Sequence, residues 1–538
     1  MASDTLPAKA TAWAEVAARH GEWSGWNRQI FEYGETAWRE YLSAEFYVRL
    51  LEREGFKVEA GSGGMPTAFC AEWSNGAGSR SMSPTIGGYA EYDAVPGNCQ
   101  AADTVDRPRD GLSIHAGGHT DPHSALGIGS LVGFLAAKRA MQQHGIKGRL
   151  KFMGEPAEKV RGSKPIHAAR GYYDDMDAAI SFHPFYMLPL CNTVRWDTHC
   201  GAGYAPLYTF KCGDPASWLA SPSAGQPGAD QPIPEYHSQA RLPGATDAVI
   251  QMYGFGKTLK EHVVSSGMSW SMNEAILNIG QATADNLPGQ MSQISYMIRV
   301  PTIELAERVI RALDHFAETA ARLTHCTWQR TWVAKSRPGL ANHALARLTY
   351  ANLTEAGAPK WGREAVAVAQ EVQKSLGLKP MARPFLDETS QCLDPVEAER
   401  RLRLMIPPGQ SHFTSDDYTD YCWQTPTVRL YIGRPALKSP PGHGGYPDWA
   451  MNALGGIEAT IDPMITSAGR TIAGTILDLL TEPAHLKAAK AEFKQRTGGG
   501  IGGKSWLAPL CDYPPPIDYR WPEYVMTPRG RREWVIPA

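Results

Sequence analysis

The sequence has little of what marks secreted, nucleic-acid-binding and membrane proteins. Its nine cysteines among 538 residues are scattered and form no CxxC pair, so neither a disulfide framework nor a zinc knuckle is expected. The formal net charge is −2 and there is no basic tract, which argues against a nucleic-acid partner. No apolar run approaches about 18 residues, and the first residues lack a basic, apolar leader. No membrane span or signal peptide is therefore expected, and a cytoplasmic location is predicted.

The composition is that of an ordinary enzyme, with 43% hydrophobic and 20% charged residues. The chain is too long for one hydrophobic core, so two domains are expected. Its 53 glycines and 40 prolines indicate many tight turns rather than a helical bundle.

Hydrophobic periodicity predicts an α/β frame at both ends of the chain. In the first part, β runs are predicted at 66–73, 85–92, 149–153 and 178–182, with a long helix at 124–144. Strands that alternate with helices favour a largely parallel sheet. The frame resumes near Pro338 with helices at 342–355 and 363–375 and a β run at 427–432.

The middle of the chain has a different rhythm. Strands at 206–211, 275–280, 290–299 and 327–334 and helices at 245–263 and 302–323 follow one another as βαββαβ, the ferredoxin-like order. The predicted domains are therefore a first part of the α/β frame at 1–190, an inserted domain at 191–335, and a second part of the frame with a C-terminal tail at 336–538. The Pro-, Ser- and Gly-rich stretch 214–241 is expected to be a loop insertion.

Short motifs then point to one family. They are the run Glu-Tyr-Asp-Ala-Val-Pro-Gly at 91–97, His115–His119, Glu155–Lys159, Asn286-x-Pro288, Arg299, Asn342–Leu345, Thr425–Thr427 and His443. In order and spacing they resemble the aminoacylase and carboxypeptidase superfamily of co-catalytic metallopeptidases, above all its aminobenzoyl-glutamate hydrolase and auxin-conjugate amidohydrolase branch. The resemblance covers most of the chain. It implies a split catalytic domain, and an inserted lid domain through which two copies form a homodimer.

The resemblance also implies a site in which two divalent ions, zinc or manganese, activate water for amide hydrolysis. By motif, Glu158 matches the general base, and His119 and His443 match two of the metal ligands. The other ligand positions differ. Gly117 stands where the branch has cysteine, Lys159 stands where it has a ligand glutamate, and Ser181 stands at the histidine before the lid, with His183 two residues later.

These replacements shift the charge of the site by about three units, and several kcal/mol of Coulomb energy would oppose metal binding. Three hypotheses stay open. The first is a remodelled site, with one metal held by His119, His443 and one or two of His115, Asp121, His123 and His183. The second is a metal-independent C–N or ring-opening enzyme, in which Lys159 supplies the positive charge and Glu158 moves the proton. The third is a non-catalytic descendant that binds a ligand or acts as a scaffold.

Three further residues are candidates for substrate binding. Arg299 matches a lid position at which basic residues meet a substrate carboxylate, and Asn286 can hydrogen-bond substrate or only form the turn before Pro288. The lid histidine of the branch falls at Ser217, and His237 can substitute for it. The predicted function is hydrolysis of a C–N bond in a small amide or N-acyl compound, aromatic ones being favoured, with Glu158 as the base.

Overall fold

The computed structural model describes residues 5–76, 83–213, 243–262, 268–280, 288–440, 442, 444–517, 523–526 and 532–535. The chain divides into two compact units. The frame unit comprises Met1–His199, Gly339–Ser411 and Asp417–Ala538, and the inserted unit comprises Cys200–Pro338 and His412–Asp416.

The strands of the described residues are β1 (Lys57–Ala60), β2 (Phe69–Asn75), β3 (Thr85–Ala90), β4 (Gly148–Gly154), β5 (Ala178–Pro184), β6 (Thr193–Val194), β7 (His199–Cys212), β8 (Ser271–Asn278), β9 (Met291–Val300), β10 (Cys326–Ser336), β11 (His412–Ser415), β12 (Thr427–Ile432), β13 (Glu523–Met526) and β14 (Arg532–Val535). The helices are α1 (Thr5–Ala18), α2 (His20–Tyr33), α3 (Tyr41–Arg53), α4 (His123–His144), α5 (Ser163–Ala169), α6 (Ala245–His262), α7 (Ile303–Leu323), α8 (His343–Ala356), α9 (Arg363–Ser375), α10 (Pro395–Arg403), α11 (Thr419–Cys422), α12 (Asp448–Gly456), α13 (Glu458–Thr481) and α14 (Pro483–Thr497).

The frame unit is built on a seven-stranded sheet in the order β1-β2-β4-β3-β5-β12-β6. The four middle strands, from β4 to β12, are parallel, and the outer strands pair antiparallel. Strands β3, β5 and β12 are buried along their whole length, as expected for parallel strands covered on both faces. The predicted α/β fold with a largely parallel central sheet is confirmed.

Glycines allow the helices to lie close to this sheet and to each other. A Cβ at Gly88 of β3 would lie 2.4 Å from Cε2 of Phe134 in α4. A Cβ at Gly133 of α4 would lie 2.6 Å from Cβ of Ile472 in α13. Helix α4 is buried almost all round over its first 15 residues, because the sheet and α13 enclose it. Its first residue, His123, is therefore held rigidly at the end of β3.

The inserted unit has the βαββαβ order β7-α6-β8-β9-α7-β10. Its antiparallel sheet runs β10-β7-β9-β8, and β11, which comes from a later part of the chain, pairs with β7. Helix α7 packs a buried apolar stripe against the sheet, and the side chain of Thr302 caps it by accepting a hydrogen bond from the Leu305 amide. The predicted ferredoxin-like insertion is confirmed.

Three local predictions were less accurate or fall elsewhere. The strand expected at 275–280 begins at Ser271 and ends at Asn278. The C-terminal tail, for which no strand was predicted, contains the two-stranded hairpin β13–β14. The expected loop insertion at 214–241 lies outside the described residues. Within the described part of the chain, no helix has the length and apolarity needed to cross a membrane.

Candidate active site

Acidic and imidazole side chains gather at the carboxyl ends of the parallel strands. Glu91 and Asp93 follow the last residue of β3, His183 is the last residue but one of β5, and His123 begins α4. Glu158 follows β4 in a single 3-10 turn, Glu158–Val160, which is flanked by residues with positive φ on both sides. Parallel strands end at one edge of the sheet, which is where α/β proteins place their ligands. The fold thus brings these five side chains together.

His123 is the centre of the cluster and is fully buried. Its Nδ1 lies 2.8 Å from Oδ1 of Asp93, and its Nε2 lies 3.2 Å from Oε2 of Glu91 and 3.4 Å from Oε2 of Glu158. Burial and the charge of Lys159 oppose protonation, but Glu91 and Asp93 outweigh them and raise the pKa of His123. Sequence analysis left this residue as one of four candidate ligands.

Lys159 stands among the acceptors of the cluster. Its Nζ lies 2.9 Å from Nε2 of His123, 3.3 Å from Oδ2 of Asp121 and 3.8 Å from Oε2 of Glu158. Burial opposes the charge, but Asp121 and Glu158 raise the pKa of Lys159, so it is an ammonium. An ammonium 2.9 Å from Nε2 requires that nitrogen to be unprotonated. Glu91 and Asp93 favour the protonated ring, but the charged Lys159 at 2.9 Å selects the form that donates from Nδ1 to Asp93 and accepts at Nε2.

Glu158 is held as a carboxylate. Arg161 contacts its Oε1 and also donates to its backbone carbonyl at 2.9 Å. Burial alone would raise the pKa of Glu158, but Arg161 and Lys159 bring it well below its usual range. The side chain is only 4% exposed. The low pKa keeps it ionised, as a proton acceptor must be, although the cations that lower this pKa also make it a weaker base.

Asp121 connects the cluster to His183. Nε2 of His183 lies 3.3 Å from Oδ2 of Asp121. On the other side, Nη1 of Arg434 lies 3.6 Å from Oδ1 of Asp121 and donates to the Thr120 carbonyl at 2.8 Å. Burial would raise the pKa of Asp121, but His183 and Lys159 hold it well below its ordinary value. Asp121 is therefore an anion with cationic or imidazole groups on three sides.

A second buried lysine fixes Glu91 from behind. Lys164 of α5 is completely buried, with Nζ 2.8 Å from Oε1 of Glu91 and 2.7 Å from Oδ1 of Asp417. Its Nζ also lies 4.8 Å from the centroid of the Tyr89 ring. Burial opposes its charge, but Asp417 and Glu91 raise the pKa of Lys164 well above the usual value. Sequence analysis missed both Lys164 and Glu91. The one available signal was the spacing of Glu91 and Asp93, two residues apart after a buried strand and hence on one face.

The structure brings together only some of the residues predicted for the site. Glu158, Lys159 and His183 meet around Asp121 and His123. His119 is in neither set of possible metal ligands given below; its ring is buried, with Nε2 3.2 Å from the Ile30 carbonyl and its centroid 6.0 Å from that of Phe31. Three predicted residues, Asn286, His237 and His443, lie outside the described residues.

The position of the missing pre-lid histidine is also accounted for. Oγ of Ser181 lies 2.6 Å from the Tyr89 hydroxyl and 2.8 Å from Nη1 of Arg429. Ser181 is therefore part of a buried hydrogen-bond network inside the sheet. His183, two residues further along β5, points to the same face and reaches the strand end.

Arg299 lines a cavity within the inserted unit. It lies on β9 opposite Ser271 of β8. The cavity has a volume of about 370 Å³, and its lining includes Trp270, Arg299, His412 and Phe413. An aromatic ring and two cationic or imidazole groups suit an aromatic or anionic group of a small molecule.

The side chains of the cluster include possible ligands for a metal ion. Within the frame unit, two sets of described side chains have ligand atoms within 4.8 Å of one another: Glu91, His123 and His183, and Asp93, His123 and Glu158. Both sets need His123. Oε2 of Glu91 and Nε2 of His123 face each other at 3.2 Å as two acceptors, and among the described residues Oε2 has no hydrogen-bond partner. Facing acceptors suit a cation.

At the two sets that share His123, these observations fit one divalent ion and not two. Nδ1 of His123 is taken by Asp93, which leaves only Nε2 as a ligand atom. The Lys159 ammonium stands 2.9 Å from that same atom, so an ion at the first set needs Lys159 to move aside. Its charge also disfavours a second ion beside Asp121 and Glu158.

Comparison with known proteins agrees with this architecture. No protein-family model matches the chain. One of the subunits of the p-aminobenzoyl-glutamate hydrolase of Escherichia coli (strain K12) is 25% identical over 481 residues, which cover 87% of this chain and 91% of that protein.

Two solved structures share the fold. An aminobenzoyl-glutamate utilization protein from Klebsiella pneumoniae has 13% identity and a TM-score of 0.53, with 87% of this chain and 98% of that chain covered. A protein from methicillin-resistant Staphylococcus aureus, described as an aminohydrolase, has 13% identity and a TM-score of 0.51. The match covers 88% of this chain and 100% of that chain. The resemblance predicted from the motifs is thereby confirmed: the chain is similar to aminobenzoyl-glutamate hydrolase over most of its length and shares the fold of those structures.

Proposed function

We propose that the protein is an amidohydrolase that cleaves a C–N bond in a small amide or N-acyl compound. The observation that supports this best is the 25% identity to a hydrolase over 481 residues, joined to the convergence of Glu158, Lys159, His123 and Asp121 at the strand ends. The relative's name describes an aromatic acyl group linked to an amino acid. We extend that class of substrate, N-aroyl amino acids, to this chain.

In the proposed reaction, water adds to the carbonyl carbon and the C–N bond then breaks. Glu158 accepts a proton from the attacking water and returns it to the leaving nitrogen, which yields a carboxylic acid and an amine. Asp93 fixes the neutral tautomer of His123, and Lys164 fixes Glu91, so that both are preorganised. A divalent ion, if bound, would be held by Glu91, His123 and His183 and would supply a Lewis acid for the carbonyl oxygen.

The remaining ligand predictions stay proposals. His183 is supported by its place in the first set of ligand atoms. His119 has no such support, because its ring contacts Ile30 and Phe31. His443 remains a candidate on its motif alone. Zinc and manganese remain the two candidate ions.

Substrate binding is proposed for Arg299, with Asn286 and His237 as further candidates from sequence. The support for Arg299 is its cavity, where His412 and Trp270 add an imidazole and an aromatic ring. A guanidinium matches a carboxylate with two parallel hydrogen bonds, so Arg299 would select the acidic end of an N-aroyl amino acid.

A second candidate function is metal-independent cleavage or ring opening at the same site. One contact favours it: Nζ of Lys159 lies 2.9 Å from Nε2 of His123, where a metal ion would otherwise bind. The ammonium would stabilise the developing oxyanion, and Glu158 would still move the proton. A non-catalytic descendant that binds a ligand is the third alternative, and it predicts no turnover of any amide.

We further propose that two copies form a homodimer through the inserted unit, in the cytoplasm. The support is an edge strand and three exposed isoleucines on that unit. Strand β8 is at the edge of its sheet, Ile276 and Ile279 are 41% and 47% exposed, and Ile250 of α6 is 50% exposed. Among the described residues of this unit nothing pairs with the outer side of β8, and a strand edge with exposed isoleucines favours pairing with a second chain.

The test is hydrolysis of a panel of N-aroyl and N-acyl amino acids that includes p-aminobenzoyl-glutamate. Metal content is measured in the same preparation before and after a chelator. We expect turnover with the aromatic members and a loss of about 100-fold or more in Glu158→Gln, with unchanged circular dichroism. Glu371→Gln, an exposed change on α9, is the control and should behave as wild type.

The outcomes separate the three alternatives. Loss of turnover when the chelator removes the metal would support a hydrolase that uses one bound ion. Turnover that survives removal of the metal would support metal-independent catalysis, in which Lys159 supplies the positive charge. Full activity in Glu158→Gln would contradict the assigned base. No turnover by wild type of any compound would leave ligand binding as the function.

A further inference from the structure

Two cysteines face each other across the inserted sheet. Cys212 is the last residue of β7, Cys326 is the first residue of β10, and the two are direct partners in the antiparallel register. Both thiols are free and both side chains are partly exposed. The proposed hydrolysis uses neither of them.

The hydrogen-bond pattern shows which kind of antiparallel pair they form. The next pair along, Gly213 and His325, is hydrogen-bonded, with the Gly213 amide donating to the His325 carbonyl at 3.0 Å. The Cys212 amide points the other way, to the Gln290 carbonyl beside β9, at 2.8 Å. Hydrogen-bonded and non-hydrogen-bonded pairs alternate along an antiparallel ladder. Cys212 and Cys326 therefore form a non-hydrogen-bonded pair.

That kind of pair has the spacing that a disulfide needs. In non-hydrogen-bonded pairs the Cα atoms are about 4.5 Å apart and the side chains are at their closest. Disulfides span Cα separations of about 4.4–6.8 Å. Direct partners also project to the same face of the sheet, so the two sulfurs can meet without a change of register.

We infer that Cys212 and Cys326 are a site of reversible oxidation, at which a disulfide reagent such as oxidised glutathione converts the two thiols into one cross-strand disulfide. One thiolate attacks a sulfur of the reagent and releases one reduced thiol. The other thiolate then attacks the resulting mixed disulfide, forms the Cys212–Cys326 bond and releases the second thiol. Two protein thiols are oxidised and one reagent disulfide is reduced.

The environment of the two thiols determines the rate of this oxidation. Burial raises the pKa of Cys212, and burial together with the nearby Cys212 raises that of Cys326. Since the thiolate is the nucleophile, the reaction should be slow at neutral pH and faster in alkali. The cross-link would enclose α6, β8, β9 and α7 in one covalent loop.

The experiment maps thiols in the whole protein. Reduced protein is treated with oxidised glutathione, blocked with iodoacetamide, digested with trypsin without reductant and analysed by mass spectrometry. Trypsin should release residues 212–241 and 323–330 as two peptides with one cysteine each. We expect them joined by a reducible bond, and a fall from nine reactive thiols to seven.

Variants and alternative links complete the test. After oxidation, Cys212→Ser and Cys326→Ser should each keep their remaining eight thiols, apart from any mixed disulfide with glutathione. Cys511→Ser should still form the Cys212–Cys326 disulfide. If either serine variant fails to fold, the peptide map of the wild type decides by itself. A link between other cysteines, or no linked peptides after prolonged oxidation at alkaline pH, would overturn the inference.

Discussion

The charge at position 159 should determine how tightly the site binds metal, and Lys159→Glu tests this. At an effective dielectric constant of about 20, the ammonium gains about 5 kcal/mol from Asp121 at 3.3 Å and about 4 kcal/mol from Glu158 at 3.8 Å. Loss of water around the buried lysine offsets much of this gain. A glutamate there turns both attractions into repulsions, so the metal-free variant should be less stable than wild type.

A divalent ion reverses the balance. An ion about 4 Å from the charge at position 159 is repelled by lysine by about 8 kcal/mol and attracted by glutamate by a similar amount at that dielectric constant. If only a tenth of the energy difference between the two proteins is realised, about 1.5 kcal/mol, zinc or manganese should bind Lys159→Glu at least about tenfold more tightly than it binds wild type. Lys159→Gln, which removes the charge alone, should fall between the two.

The assay measures metal content after dialysis, and affinity by competition with a chromophoric chelator. Thermal unfolding is followed with and without the ion. Lys487→Glu makes the same charge change at an exposed position of α14 and should bind metal as wild type does. Folded Lys159→Glu and Lys159→Gln proteins that bind no more metal than wild type would refute the charge argument.

Three further predictions concern stability. Lys164→Met should lower the free energy of unfolding in urea by about 3–5 kcal/mol, because its two buried carboxylate partners lose their counter-charge; a loss below about 1 kcal/mol would contradict the buried ion pairs. Gly133→Ala should lower the free energy of unfolding by about 1–3 kcal/mol, because the added Cβ would clash with Ile472. Gly25→Ala, whose added Cβ would meet nothing within 4 Å, should raise the free energy of unfolding slightly. Equal melting temperatures for the two variants would contradict this packing. Burial raises the pKa of Asp462 to about 6, so between about pH 4 and 6 the native state binds a proton that the unfolded state has lost. The free energy of unfolding should therefore fall as the pH rises from about 4 to 6. Asp462→Asn should flatten this dependence on pH, and an unchanged slope would contradict the raised pKa of Asp462.

The sequence predicted those parts of the molecule whose signals are local. Hydrophobic periodicity is a property of neighbouring residues, so the parallel frame and the βαββαβ insertion could both be predicted. The motif at 155–159 identified Glu158 and Lys159 for the same reason. Each of these predictions needed only residues within one element or one turn.

The parts that could not be predicted depend on distant segments. Nothing in the sequence around Lys164 distinguishes it from a surface lysine. Only the fold buries it against Asp417, more than 250 residues away. His123 could equally be a helix cap, until α4 is seen to begin beside Glu91 and Asp93. The motif match of His119 gave no indication that its ring contacts Ile30.

The position of β12 has a consequence for synthesis of the chain. This strand lies between β5 and β6 in the sheet, yet about 240 residues separate Pro184 from Thr427. At about 5–20 residues per second, a ribosome needs on the order of 10–50 seconds to make them. During that time the apolar edge of β5 is without its final partner. The nascent frame is then open to aggregation, and we expect the yield of folded protein to depend on chaperones and on temperature more than its final stability does.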